Sequence, residues 1–191
     1  DGNEFTWILD PLDGSRNFAY GIPQFAVSLA LVKGRECLLG ATYDPCRDEL
    51  FMARRGEGAY LNGQPLRVSS VGTMAEAILA LDIGPVDYRG KWILEMAHNL
   101  WPGVQAVRIF GSAALGLAYV ASGRVHLYAH HQVSPWDITA GILMIREAGG
   151  VITDAQGEDA SFENGVIVAG SRQGHQLFLE ATDGTAWRTL R

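Results

Sequence analysis

The chain has 191 residues, 48% hydrophobic and 19% charged, with 23 glycines dispersed rather than gathered in a tract; it is long enough to bury a core and too apolar to stay disordered. Its net charge of −6 includes no run of Lys or Arg, which leaves a nucleic-acid or anionic-membrane partner without an electrostatic footprint. No apolar run reaches the length of a membrane span, and Cys37 and Cys46 match no zinc spacing and are too few for a disulfide framework, so a reducing cytoplasm is the expected compartment.

Residues 5–9 (FTWIL) predict a buried strand, residues 10–15 (DPLDGS) the turn that ends it, and a short helical segment follows. Residues 25–32 and 37–43 predict a hairpin about Gly34, and residues 50–54, 59–61 and 64–68, with an Asn62-Gly63 turn, continue an antiparallel meander. Ser, Gly and Thr break the pattern at 69–75, so a β-rich lobe is expected over residues 1–75 and an α/β lobe over 76–191. In the second lobe residues 78–81, 106–110, 125–129, 151–153 and 166–169 predict strands, and 91–100 a helix. Ala113, Ala114, Leu117, Ala118 and Ala121 follow helical spacing up to Gly123. Pro135 and Asp137 open a further helix whose face Ile138, Gly141, Ile142 and Ile145 runs to Gly149-Gly150.

Two segments carry candidate chemistry. Asp10 and Asp13 project from one short segment stiffened by Pro11, and hard cations such as Mg²⁺ favour such oxygen ligands with a substrate phosphate completing the shell. Gly14 and Ser15 offer backbone N–H groups beside them. Asp137 lies in the first turn of the helix after Ser134-Pro135. Taken singly, each segment reads as an ordinary helix cap.

Taken together, and in this order, they resemble the signatures of the inositol monophosphatase family, a Mg²⁺-dependent, lithium-sensitive-type sugar phosphatase superfamily. Residues 7–18 (WILDPLDGSRNF) resemble its first signature and residues 136–141 (WDITAG), running on to Glu147-Ala148-Gly149-Gly150, its second. Residues 111–114 (GSAA) resemble the substrate-side loop, and residues 56–63 (GEGAYLNG) the central hairpin. The resemblance implies a layered α/β fold, alternating helix and sheet layers, with the active site between the lobes. It implies that Asp10, Asp13, Asp137 and the Leu12 carbonyl hold Mg²⁺, that Gly14 and Ser15 hold the phosphate, and that the Ser15 hydroxyl orients the attacking water where the family usually has Thr. Gly111, Ser112 and Ala113 then line the alcohol side, and no phosphoenzyme forms.

The family pattern also places a helical segment with a metal-binding Gly-Glu-Glu motif ahead of the first signature. Glu4 is too close to the strand to replace it, so the chain as it stands is expected to lack part of the site. The acidic residue that grips sugar hydroxyls in inositol-specific members aligns with His130; His130 and His131 either hydrogen-bond the substrate or, the favoured expectation, end a strand at the surface. The expected reaction is hydrolysis of a small phosphate monoester such as inositol monophosphate. Histidinol phosphate, fructose 1,6-bisphosphate and a nucleotide 3′-phosphate are alternatives, as is a non-catalytic regulatory member. The same resemblance implies a homodimer, while the charge pattern leaves neither nucleic acid nor membrane as an expected partner.

Overall fold

The computed structural model describes residues 4–84, 89–163 and 165–189. Six strands follow one another as an antiparallel meander in sequence order: β1 (Phe5–Asp13), β2 (Ala26–Lys33), β3 (Glu36–Asp44), β4 (Glu49–Arg54), β5 (Gly58–Leu61) and β6 (Gln64–Pro65), with the one short helix α1 (Ser15–Ala19) between the first two. The remainder alternates: β7 (Ile78–Asp82), α2 (Arg89–Leu100), β8 (Ala106–Ile109), α3 (Ala113–Ala121), β9 (Leu127–His130), α4 (Pro135–Glu147), β10 (Val151–Thr153), β11 (Ile167–Gly170) and α5 (Arg172–Ala181). Its five strands form a second sheet in the order β10-β11-β9-β7-β8, in which β8 and β9 both run parallel to β7 and flank it.

Helices α3 and α4 lie between the sheets. All nine residues of α3 are buried, as a helix apolar on every side requires, and one core joins Ala30 and Phe51 of the first sheet, Leu117 and Ile142 of the helices, and Tyr128 and Ile167 of the second sheet. A second core on the far face of the second sheet packs Leu79 and Leu127 against Ile93 of α2 and Phe178 of α5. The layers therefore alternate sheet, helices, sheet, helices. Small residues make the first interface close: a Cβ on Gly40 of β3 would stand 2.8 Å from the Ala140 carbonyl oxygen of α4.

The second-signature segment and the central hairpin are tied together by one carboxylate. Glu147, ending α4, accepts from the amides of Gly56 (2.8 Å) and Gly58 (2.9 Å) in the β4–β5 turn, which anchors the end of the helix opposite Asp137.

Three expectations are corrected. Residues 5–9 form an edge strand with one face open, Trp7 being 58% exposed and Leu9 53%; an apolar run looks the same in sequence whether one or both faces are covered. The strand does not stop at residue 9 but runs through Asp13, so the turn begins only at Gly14, whose φ of 84° favours glycine. His130 and His131 are 5% and 2% exposed rather than at the surface. The helix α5 also lies where no element was predicted.

Candidate active site

The carboxyl ends of the parallel strands and the end of β1 meet in a cleft of about 560 Å³, the position where flanking strands that leave a central one in opposite directions open a crevice. Asp10 and Asp13 are three residues apart, a spacing that in a regular strand points side chains to opposite faces. A bulge at Pro11 and Leu12 removes that conflict: Asp10 pairs with Ser28 and Asp13 with Ala26, two residues apart on one face of β2. The bulge is held in part by the Leu12 amide donating to Asp10 Oδ1 at 2.9 Å.

Asp137 arrives from the second sheet's side. Ser134 caps α4, Pro135 occupies its first turn, and Asp137 Oδ2 accepts from the Ser134 amide at 2.8 Å. The residue is thus a helix cap and also a member of a cluster, since carboxylate oxygens of Asp10, Asp13 and Asp137 all lie within 4.8 Å of one another. Burial, then the charges of Asp13 and Asp10, push the Asp137 carboxyl up to about 7, and burial raises that of Asp13 as well. Crowded, desolvated carboxylates of this kind repel one another unless a proton or a cation lies between them. An all-oxygen donor set of two or three carboxylates suits Mg²⁺.

Asp13 is oriented by the loop after β8: Ser112 Oγ donates to its Oδ2 at 2.5 Å and the Ala114 amide at 2.9 Å. Ser112 also caps α3 through the Leu115 amide. Its hydroxyl is therefore engaged by Asp13, although Gly111, Ser112 and Ala113 do line the cleft, as do Gly14, Ser15 and His130. The Gly111 φ of 70° and its close contact with the Asn17 side chain leave no room for a Cβ. Gly14 is equally confined, a Cβ there standing 2.8 Å from the Gln24 carbonyl oxygen.

His130 Nδ1 accepts from the Gln132 amide at 3.0 Å, and burial, with His131 stacked 5.6 Å away, pushes its pKa down to about 3. The ring is neutral, and with Nδ1 accepting, its proton resides on Nε2. Gly84 makes room for both histidines, each ring carbon Cε1 lying 3.1 Å from where a Cβ would be. Two further cleft residues had no expected role: Asn17, which lies within the first signature, and Asp82, which lies in no motif. Asn17 Nδ2 donates to the carbonyls of Gln24 (2.7 Å) and Phe110 (2.8 Å), joining α1 to the end of β8. Asp82, the last residue of β7, shows in sequence only as a carboxylate closing an apolar run, the same signal that Asp10 gives.

Such an architecture, an alternating sheet and helix stack with an acidic triad able to hold a metal ion at the mouth of a small-ligand cleft, defines a class of layered α/β proteins. Within it, the profile of the inositol monophosphatase family matches residues 1–185, and the chain belongs to that family. It is 39% identical over 183 residues to the inositol-1-monophosphatase of Mesorhizobium japonicum, covering 95% of this chain and 68% of the relative. It is 40% identical over 168 residues to the fructose-1,6-bisphosphatase/inositol-1-monophosphatase of Thermotoga maritima, covering 84% and 64%. The crystal structure of the extragenic suppressor protein suhB from Bartonella henselae superposes with a TM-score of 0.90 at 39% identity, over 95% of this chain and 70% of that one. The chain thus spans about two thirds of the length of the relatives it matches.

Proposed function

We propose that the protein is a Mg²⁺-dependent phosphatase that hydrolyses a small phosphate monoester by direct attack of water. The observation that carries this reading is the convergence of Asp10, Asp13 and Asp137, drawn from the first and last thirds of the chain, within 4.8 Å of one another. Together with the Leu12 carbonyl they hold the cations. When bound, divalent cations supply Lewis-acid chemistry, acidifying a water and stabilising the departing alkoxide. The Gly14 and Ser15 amides bind phosphoryl oxygens, and the Ser15 hydroxyl orients the water. Water oxygen bonds to phosphorus as the ester P–O bond breaks, and the alcohol leaves along the wall of Gly111, Ser112 and Ala113. His130, held with its proton on Nε2, offers a donor to that alcohol where an acidic residue would offer an acceptor.

Which ester is taken is part of the proposal: inositol monophosphate first, with fructose 1,6-bisphosphate supported by the double name of the Thermotoga relative. To the same reading belong action as a homodimer in the cytoplasm, with neither nucleic acid nor membrane as partner; among the described residues no helix is long and apolar enough to cross a membrane. The test is phosphate release by the gene product from a panel of inositol, histidinol, fructose and 3′-nucleotide phosphates, with Mg²⁺ and with chelator. Release that requires Mg²⁺ and disappears in Asp137→Asn supports the reading; no release from any ester favours a non-catalytic member.

A further inference from the structure

Three strands end at the cleft, and β7 lies between the other two. Asp82, its last residue, is 3% exposed and its carboxylate reaches both neighbours. Oδ1 accepts from the amides of Phe110 (2.9 Å) and Gly111 (2.5 Å) just beyond β8, and Oδ2 from the Tyr128 hydroxyl of β9 (2.8 Å). Three donors satisfy a carboxylate whose burial would otherwise be prohibitive. Ordinary sheet pairing already joins β7 to β8 and β9, so holding the sheet together does not call for a charge at this point.

What the charge does hold is the segment after β8. The Phe110 peptide is gripped on both sides, its N–H by Asp82 and its carbonyl by Asn17 Nδ2 at 2.8 Å. One residue beyond Gly111, Ser112 Oγ meets Asp13, and the Ala114 amide follows. Residues 110–114 are therefore clamped between two carboxylates, Asp82 at one end and Asp13 at the other. Moving the first end moves the donors that aim the second.

We propose that Asp82 is a positioning residue of this site, which by fixing residues 110–114 sets the Asp13 carboxylate for the cations and the wall that meets the leaving alcohol. The assignment rests on the phosphatase reading above, but its consequence for cation binding does not depend on turnover. Removal of a group that orients a metal ligand costs about tenfold to a hundredfold in metal affinity or activity.

The experiment compares wild type, Asp82→Ala and Asp82→Asn by kcat and KM per folded molecule, by calorimetric Mg²⁺ binding, and by amide exchange across residues 110–114. Asp82→Ala is expected to lower kcat and weaken Mg²⁺ binding by about tenfold or more, with faster exchange at 110–114. Asp82→Asn retains an oxygen for the two amides and recovers most of both. A folded Asp82→Ala protein that melts lower yet keeps wild-type kcat, KM and Mg²⁺ Kd overturns the assignment, because a purely structural group behaves that way. If Asp82→Ala does not fold, Asp82→Asn decides: its neutral acceptor weakens the clamp, so faster exchange at Phe110 and Gly111 must come with weaker Mg²⁺ binding, and exchange that accelerates without it sinks the idea. If the wild type releases no phosphate from any ester, the phosphatase reading falls, and the Mg²⁺ titration alone judges Asp82.

Discussion

Replacing Asp13 by Asn should make the metal-free protein more stable while disabling the site. The three carboxylates lie within 4.8 Å of one another, and at an effective dielectric of about 20 two unit charges at that separation repel by about 3.5 kcal/mol. Asp13 takes part in two such pairs. Protonation of Asp137, raised to about 7, and solvent around the half-exposed members reduce the repulsion, leaving a net relief on the order of 1–3 kcal/mol. Asn still presents an oxygen to Ser112 Oγ and the Ala114 amide, so the loop keeps its partner. For a chain of this size 1 kcal/mol moves Tm by about 2–4 °C, so the variant should melt roughly 2–12 °C above wild type in chelator. With Mg²⁺ the order should narrow or reverse, because wild type gains binding energy that the variant has lost. Thermal unfolding in both media, beside phosphate release, makes the comparison. A variant that melts below wild type in chelator, or that keeps the full Mg²⁺-induced rise in Tm, would refute the account of the triad as a strained cation cradle.

The same crowding sets a pH dependence. Asp137 must lose its proton to bind a cation, so between about pH 6 and 7 Mg²⁺ affinity should rise with pH and binding should release a proton; calorimetry in two buffers of different ionisation enthalpy measures that release, and its absence would show that the carboxyl titrates normally. For the metal-free fold, Asp82 raised from 3.8 to about 6 means that the folded state holds more protons than the unfolded between those values. Stability is then greatest at the acid end of that window and falls as pH rises through it, by on the order of 3 kcal/mol from this group, which denaturant melts across the range will read. Gly40→Ala places a methyl against the Ala140 backbone of α4; overpacking should cost about 1–3 kcal/mol in urea unfolding, with weaker Mg²⁺ binding because Asp137 stands on the same helix.

Elements with a strong local signal were legible in the sequence. Helix α4 combines a cap, Pro in the first turn, a regular apolar face and a terminal glycine, and each of these acts within a few residues. The three aspartates of the acidic cluster emerged from the order of two motifs, and the structure brings their carboxylates together. What escaped depends on contacts distant in sequence. Whether residues 5–9 have a neighbour on both faces is decided by layers built from the other end of the chain. His130 and His131 are buried because Gly84, on another strand's loop, makes space for them. Asp82 has no motif, and its partners Phe110, Gly111 and Tyr128 are 28 to 46 residues away. Helix α5 buries Gly174, His175 and Phe178 along one face, a periodic signal that went unassigned because the segment carries no motif.

The bulge in β1 makes this stretch of the gene intolerant of length changes. Dropping one codon between those for Asp10 and Asp13 would leave the two carboxylates two residues apart in an unbroken ladder with Ser28 and Ala26, still on one side of the ribbon, but would abolish the bulge that the Leu12 amide closes onto Asp10. Insertion of one codon would instead force a further unpaired residue into the bulge. In variant libraries, then, a one-codon indel at Pro11 or Leu12 should be more damaging than most replacements of either residue, even though each side chain there is chemically ordinary.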